Sequence, residues 1–181
     1  RWAASAETPW WRRGLGRDKV VASATIACYR TRMGSRGATT AAQAEALRGA
    51  MQRLFRRFGA LAGDSTPCGK PLSMAYAHGL MVLLARGELS QQALGAELCI
   101  DKSNVARLCA KMVRARHVAQ RSSELDGRSR LVALTERGAR LAHEVEAASR
   151  GRFEALLAAV PGAHRAGVLV ALHHLVVAID E

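Results

Sequence analysis

Residues 89–138, LSQQALGAELCIDKSNVARLCAKMVRARHVAQRSSELDGRSRLVALTERG, decide how this chain folds. Ser90 stands where a helix N-cap belongs, and Leu89 before it can staple onto Leu94 at the fourth helical position. The same device recurs at Asp101, with Ile100 able to staple onto Val105. Two short capped helices separated by Leu98, Cys99 and Ile100 predict a helix-turn-helix.

Placing residues of the second helix 100° apart puts Val105, Leu108, Cys109 and Met112 on one side. Ser103, Arg107, Lys111 and Arg114 fall opposite, with Asn104 beside them. Arg and Asn are side chains that read base edges in a major groove, and Lys102 and Ser103, near the helix N-terminus, suit phosphate, where the helix dipole adds its attraction. A basic face by itself is usually a solvated face. The short capped helix packed ahead of this one favours the binding reading.

After His117, VAQRS and RLVAL have strand composition, and the Asp-Gly of 123-SELDGRS-129 is a turn signal. The hairpin projects beyond the helices, with Arg128 and Arg130 at or just past its tip, where a narrow minor groove attracts guanidinium groups. Asp126 either orients Arg128 by a hydrogen bond, makes the turn, or does both.

Working outward, Thr40 to about Ala62 repeats apolar residues at helical spacing: Leu47, Met51, Leu54, Phe55, Phe58 and Leu61. The segment 63-GDSTPCGKP-71 is a loop, and 72–86 is a second helix, apolar on most sides, which Gly87 ends. Thr135 caps a long helix that runs to Pro161-Gly162 and carries Leu141, Val145, Phe153, Leu156 and Leu157. The last run, 163–181, is apolar round most of its circumference, so burial against a second subunit is expected. The fold class expected is mainly α with a small β-wing: a winged helix at about 72–134, with dimerisation helices at about 40–62 and 136–181 in a domain of 39–181.

Composition narrows the partner. Aromatic residues make up only 4% of the 181, so the core must be Leu, Val and Ala, and the net charge of +12 with a pI near 10.9 calls for a polyanion, nucleic acid or an acidic membrane surface. Residues 1–36 hold 8 of the 27 basic and 2 of the 15 acidic residues, half of the excess. That tail (1–38) has no sustained apolar period and does not begin with Met, so it is expected to be poorly ordered or foreign to the natural start. An Arg-rich, acid-poor leader also imitates a transit peptide, and Trp2, Trp10 and Trp11 are able to pack on a partner. No uninterrupted apolar run approaches the roughly 20 residues that span a bilayer, so a soluble cytoplasmic protein without a membrane partner is expected. Cys28, Cys68, Cys99 and Cys109 lack CxxC spacing, which points to reduced thiols.

The unit resembles the winged-helix regulators of the multiple-antibiotic-resistance regulator (MarR) family from about Leu72 to Ala142. The residues that carry the likeness are LSQQALGAEL, DKSNVARLCAKM and DGRSR followed by LVALTERG. The resemblance implies an obligate homodimer on double-stranded DNA, its first and last helices interleaving at the two-fold axis over a pseudo-palindrome. It also implies that Ser103, Asn104 and Arg107 face bases or adjoining phosphates, that Arg128 enters the minor groove, and that Ser90 and Gln91 touch phosphate. The chain departs from the family pattern at Cys99, at Gly95 and at His117, where Gly, Ala and Gly are usual. Bulkier residues where positive φ is often needed imply altered turns.

Family members are usually repressors released by small aromatic or lipophilic effectors bound between the dimer domain and the winged helix. That likeness makes Tyr76 and His78 ligand candidates, the alternative being ordinary core and surface residues. Cys68, in a Pro/Gly loop beside Lys70, is the candidate for oxidant sensing, while Cys99 and Cys109 fall on packing positions. Cys68 with His78 could seed a metal site, and His173-His174 invites the same idea, but adjacent helical residues point about 100° apart and cannot readily share one ion, so neither metal nor cofactor is expected. The chain has no Gly-rich phosphate loop, no GxSxG and no HExxH, so it is not read as an enzyme. The function expected is a sequence-specific, ligand-responsive repressor; the rivals are a non-specific architectural DNA binder, a redox-sensing repressor acting through Cys68, and a dimer that no longer binds DNA.

Overall fold

The computed structural model of the chain describes residues 40–61, 63–122 and 130–180, so Asp126 and Arg128 lie outside the described residues. The chain divides after Phe58 into two units.

The first unit contributes α1 (Thr40–Phe58), an amphipathic helix with no buried residue. Arg56 and Arg57 in its last turn suit the negative end of the helix dipole. The helix stops four residues short of the expected Ala62, because Gly59 takes the left-handed conformation (φ 83°) that closes helices.

The second unit begins with the loop leading to α2 (Met74–Arg86), capped by Ser73 and ended by Gly87 at φ 76°. There follow β1 (Leu89–Ser90), α3 (Gln91–Glu97), α4 (Lys102–Arg114), β2 (Val118–Ser122), β3 (Arg130–Leu134), α5 (Glu136–Ala159) and α6 (Gly162–Asp180). VAQRS and RLVAL are the two long strands, paired antiparallel with Val118 opposite Leu134 and Ser122 opposite Arg130. β1 was not anticipated. It adds only Leu89 and Ser90 to the far edge of β3, opposite Val132 and Leu131, making the sheet order β1-β3-β2.

The core joins these pieces through aliphatic side chains. Leu80 and Leu83 of α2, Leu94 of α3, Met112 of α4, Val132 of β3 and Val145 of α5 are all fully buried. Each contributes about 1.5–3 kcal/mol by leaving water. α3 approaches α4 closely at Gly95, where an added Cβ would lie 3.3 Å from the Ile100 carbonyl oxygen and from Val105 Cγ1. A smaller residue than Ala at this position lets the two helices sit tightly.

Two non-glycine residues take left-handed conformations in turns. Cys99 adopts φ 53° in the helix-turn-helix turn, as its position predicts, but it is exposed and not a packing residue. Before the wing, the left-handed residue is Arg116 (φ 57°), one position earlier than His117. The C-terminal run, α6, has a mean hydropathy of 1.4 over 18 of its 19 residues and is long and apolar enough, by length and composition alone, to cross a membrane. His173 and His174 interrupt the apolar run without lowering that average enough to fail it.

Candidate nucleic-acid interface

Helix α4 is seated by one face and presents the other. Val105, Leu108, Cys109 and Met112 are buried, while Lys102, Ser103, Asn104, Arg107, Lys111 and Arg114 are exposed. The helical spacing of the sequence therefore places every donor side chain of this face in solvent.

Asp101 organises the start of that face. Its Oδ1 accepts from the backbone N–H groups of Ser103 (2.9 Å) and Asn104 (2.8 Å) and from the Ser103 hydroxyl (2.7 Å), and its Oδ2 accepts from the Asn104 side-chain amide. Asn104 Oδ1 in turn accepts from Arg107 at 2.7 Å. The Asn104 backbone N–H foremost, then the Ser103 hydroxyl, hold the Asp101 carboxyl down to about 2, so it stays ionised at any pH at which DNA is bound.

The preceding helix places the two expected phosphate contacts differently. Ser90 is the observed N-cap of α3, its Oγ accepting from the Ala93 N–H at 3.0 Å, which leaves its hydrogen to donate outward. Gln91 is half-buried at the start of α3, and burial pushes up the pKa of the Cys109 thiol in the core. Arg130 is exposed at the start of β3. On β2, Arg121 clamps the sheet to the residue before β1 by a two-pronged pair with Glu88 (2.9 and 2.6 Å).

The joint between α4, the wing and α5 is built from backbone. The His117 N–H donates to the Met112 carbonyl (3.0 Å), and the His117 carbonyl accepts from Thr135 N–H (3.0 Å). Thr135 Oγ1 donates to the Arg116 carbonyl at 2.7 Å while accepting the Gly138 N–H at 3.0 Å as the cap of α5. Gly138 meets His117 so closely that a Cβ there would fall 1.8 Å from the carbonyl oxygen. This is the physical content of Thr135-x-x-Gly138.

A cavity of about 320 Å³ opens beside this joint, between the loop before α2 and the C-terminal half of α4. Tyr76 lines it, together with Lys111 and His117, which the sequence reading had not placed there. The Tyr76 hydroxyl lies 2.6 Å from His117 Nδ1, and Lys111 Nζ sits 5.8 Å from the centre of the Tyr76 ring. His78 is on the exposed side of α2 and Cys68 is half-buried; neither lines the cavity. The Cys68 thiol lies 3.0 Å from Thr66 Oγ1, and Lys70 turns to Glu144 at 3.0 Å.

Burial, then the nearby Arg137, lowers the pKa of His117. A base whose folded pKa is depressed contributes stability above its unfolded pKa of about 6.5, and loses it as pH falls from there through the folded value. The melting temperature should therefore drop between pH 7.5 and 5, and His117→Gln should flatten that part of the profile. Identical slopes for the two proteins would remove His117 from the titration.

Residues 71–129 match a family model described as MarR family. Comparison with curated protein sequences returned no match. Among solved structures, the chain is similar to the PcaV transcriptional regulator from Streptomyces coelicolor in complex with its natural ligand (22% identity, 82% of this chain and 100% of that one, TM-score 0.53). It is also similar to a MarR transcriptional regulator from Methanosarcina mazei (26% identity, 72% and 94% covered, TM-score 0.59). A third similar structure is FabT of Streptococcus pneumoniae in complex with DNA (16% identity, 75% and 94% covered, TM-score 0.60).

Proposed function

We propose, from a winged helix that belongs to the MarR family, that this chain is a transcriptional regulator that binds a pseudo-palindromic operator as a homodimer. The observation that carries the reading is the row Lys102, Ser103, Asn104, Arg107 and Lys111, exposed on a helix whose opposite face is locked into the core. Such a row fits a major groove, with Arg107 and Asn104 toward base edges and Lys102, Ser103 and Ser90 toward phosphate. The winged helix spans about 72–134, and the helices on either side supply the dimer contacts.

Selection of bound duplexes from a random pool at physiological salt tests this. The expected result is one inverted repeat, its half-sites about 10 base pairs apart, bound at least about a thousandfold more tightly than random sequence. A pool that returns no motif would overturn the reading in favour of charge-driven, non-specific binding.

The wing adds a separate expectation. Arg128→Ala should weaken operator binding by about 1–3 kcal/mol in a titration while leaving thermal stability unchanged. An unchanged affinity would remove that guanidinium from recognition.

The cavity supports a ligand-responsive output. PcaV was solved with a natural ligand, and in this chain Lys111 belongs both to the exposed row of α4 and to the cavity wall. A small effector that engages Lys111, Tyr76 and His117 takes a cation from the DNA face and loads the joint that orients α4, so effector and operator oppose one another. Repression relieved by an effector is the output this arrangement supports.

A further inference from the structure

The exposed row of α4 is not a set of independent side chains. An ionised carboxylate only accepts hydrogen bonds and a guanidinium only donates them, so a side-chain amide between the two has one orientation that satisfies both. Asp101 and Arg107 are those two ends, and Asn104 is the amide between them. Its nitrogen must face Asp101 and its oxygen must face Arg107. The same carboxylate also fixes the Ser103 hydroxyl at 2.7 Å.

We propose that Asp101 is a positioning residue for DNA recognition: through Asn104 it presets Arg107, and its negative charge at the head of the helix disfavours phosphate unless that preset row meets its bases. The inference rests on the operator-binding reading and adds a residue that has no direct contact with bases to the determinants of specificity. Binding to random DNA draws mainly on phosphate contacts, which a nearby carboxylate weakens. Specific binding recovers that loss because side chains held in place lose less freedom on docking.

The test is Asp101→Asn in the full chain, alone and combined with Arg107→Ala. The asparagine keeps the helix cap, since Asn caps as well as Asp, and nearly keeps the shape. It puts a donor where Asn104 needs an acceptor, so Asn104 turns over and loses Arg107. The expected result is a melting temperature close to that of the unsubstituted protein, with the ratio of operator to random-DNA affinity falling at least about fivefold, the range of coupling within one hydrogen-bonded network. Random-DNA affinity should hold or rise. In the Arg107→Ala background the same substitution should change the ratio less than about twofold.

An unchanged ratio, or an equal fall with and without Arg107, would overturn the relay. If Asp101→Asn proves unstable, Asp101→Ser keeps the cap without offering Asn104 its second acceptor, and the same two outcomes decide. Failure of the unsubstituted chain to prefer any sequence would instead sink the operator reading, and the relay with it.

Discussion

Gly138→Ala is expected to lower the melting temperature by about 5–15 °C, a loss of about 2–4 kcal/mol for a chain of this size. At an open helical position the same change stabilises, since Ala is favoured over Gly by about 1 kcal/mol. Here the new methyl would lie 1.8 Å from the His117 carbonyl oxygen and 2.7 Å from its carbon. Both are backbone atoms, so no rotamer change relieves the overlap. Moving His117 away strains the hydrogen bond its carbonyl accepts from Thr135 and the one its N–H gives to Met112 at the end of α4. The cost therefore exceeds the helix-propensity gain and passes to the recognition helix, so operator affinity should fall along with stability. Gly151 on the same helix is the control: a Cβ there meets nothing within 4 Å, and Gly151→Ala should be neutral or stabilising by up to about 1 kcal/mol. Thermal denaturation of both variants decides it. Equal behaviour of the two would mean that α5 does not press on His117.

The parts of this fold that the sequence announced are those decided locally. Ser90, Asp101 and Thr135 cap helices by reaching two or three residues along the chain, and all three do so here. The buried and exposed faces of α4 follow from the 100° step, and the two long strands follow from their composition between turn signals. The MarR likeness of the wing and the helix-turn-helix rested on those same local patterns.

What was not legible depends on partners far along the chain. Leu89 and Ser90 form a strand only because β3 offers Val132 and Leu131, and nothing within two residues of Leu89 reports that. Tyr76 meets His117 across 41 residues, so a cavity built on both was visible from neither. Lys111 sits on the exposed row by period, yet its long stem brings the ammonium over the Tyr76 ring. Gln91, expected at a phosphate, is half-buried instead. The left-handed residue fell on Arg116 because the carbonyls of Met112 and Val113 accept from His117 and Arg116, a closing pattern that composition leaves free by one position.

Removal of residues 163–181 is expected to convert a dimer into a monomer and to reduce operator affinity by about 10²- to 10⁴-fold, the gain that linking two half-site contacts provides. Helix α6 has no buried residue in the single chain. Its most exposed apolar side chains, Leu169 (50%), Leu172 (45%), Val176 (56%) and Ile179 (77%), recur at intervals of 3, 4 and 3 residues and so lie on one stripe. A 19-residue helix is about 28 Å long, and leaving such a stripe in water is unfavourable enough that a second copy is the partner the two-fold operator reading requires. Truncation also removes Arg165, whose guanidinium accounts for two hydrogen bonds to the carbonyls of Val160 (2.9 Å) and Ala158 (3.0 Å) at the end of α5. The double substitution Leu169→Glu with Val176→Glu keeps those bonds. Because both side chains are half-exposed in the isolated chain, it should cost a monomer little and a dimer most of its interface. Sedimentation equilibrium and operator titration on both variants are the measurements. A monodisperse dimer that survives both changes would place the two-fold contact elsewhere, whereas a folded monomer that still binds random DNA but has lost the inverted repeat would show that α6 supplies the geometry of recognition and α4 the chemistry.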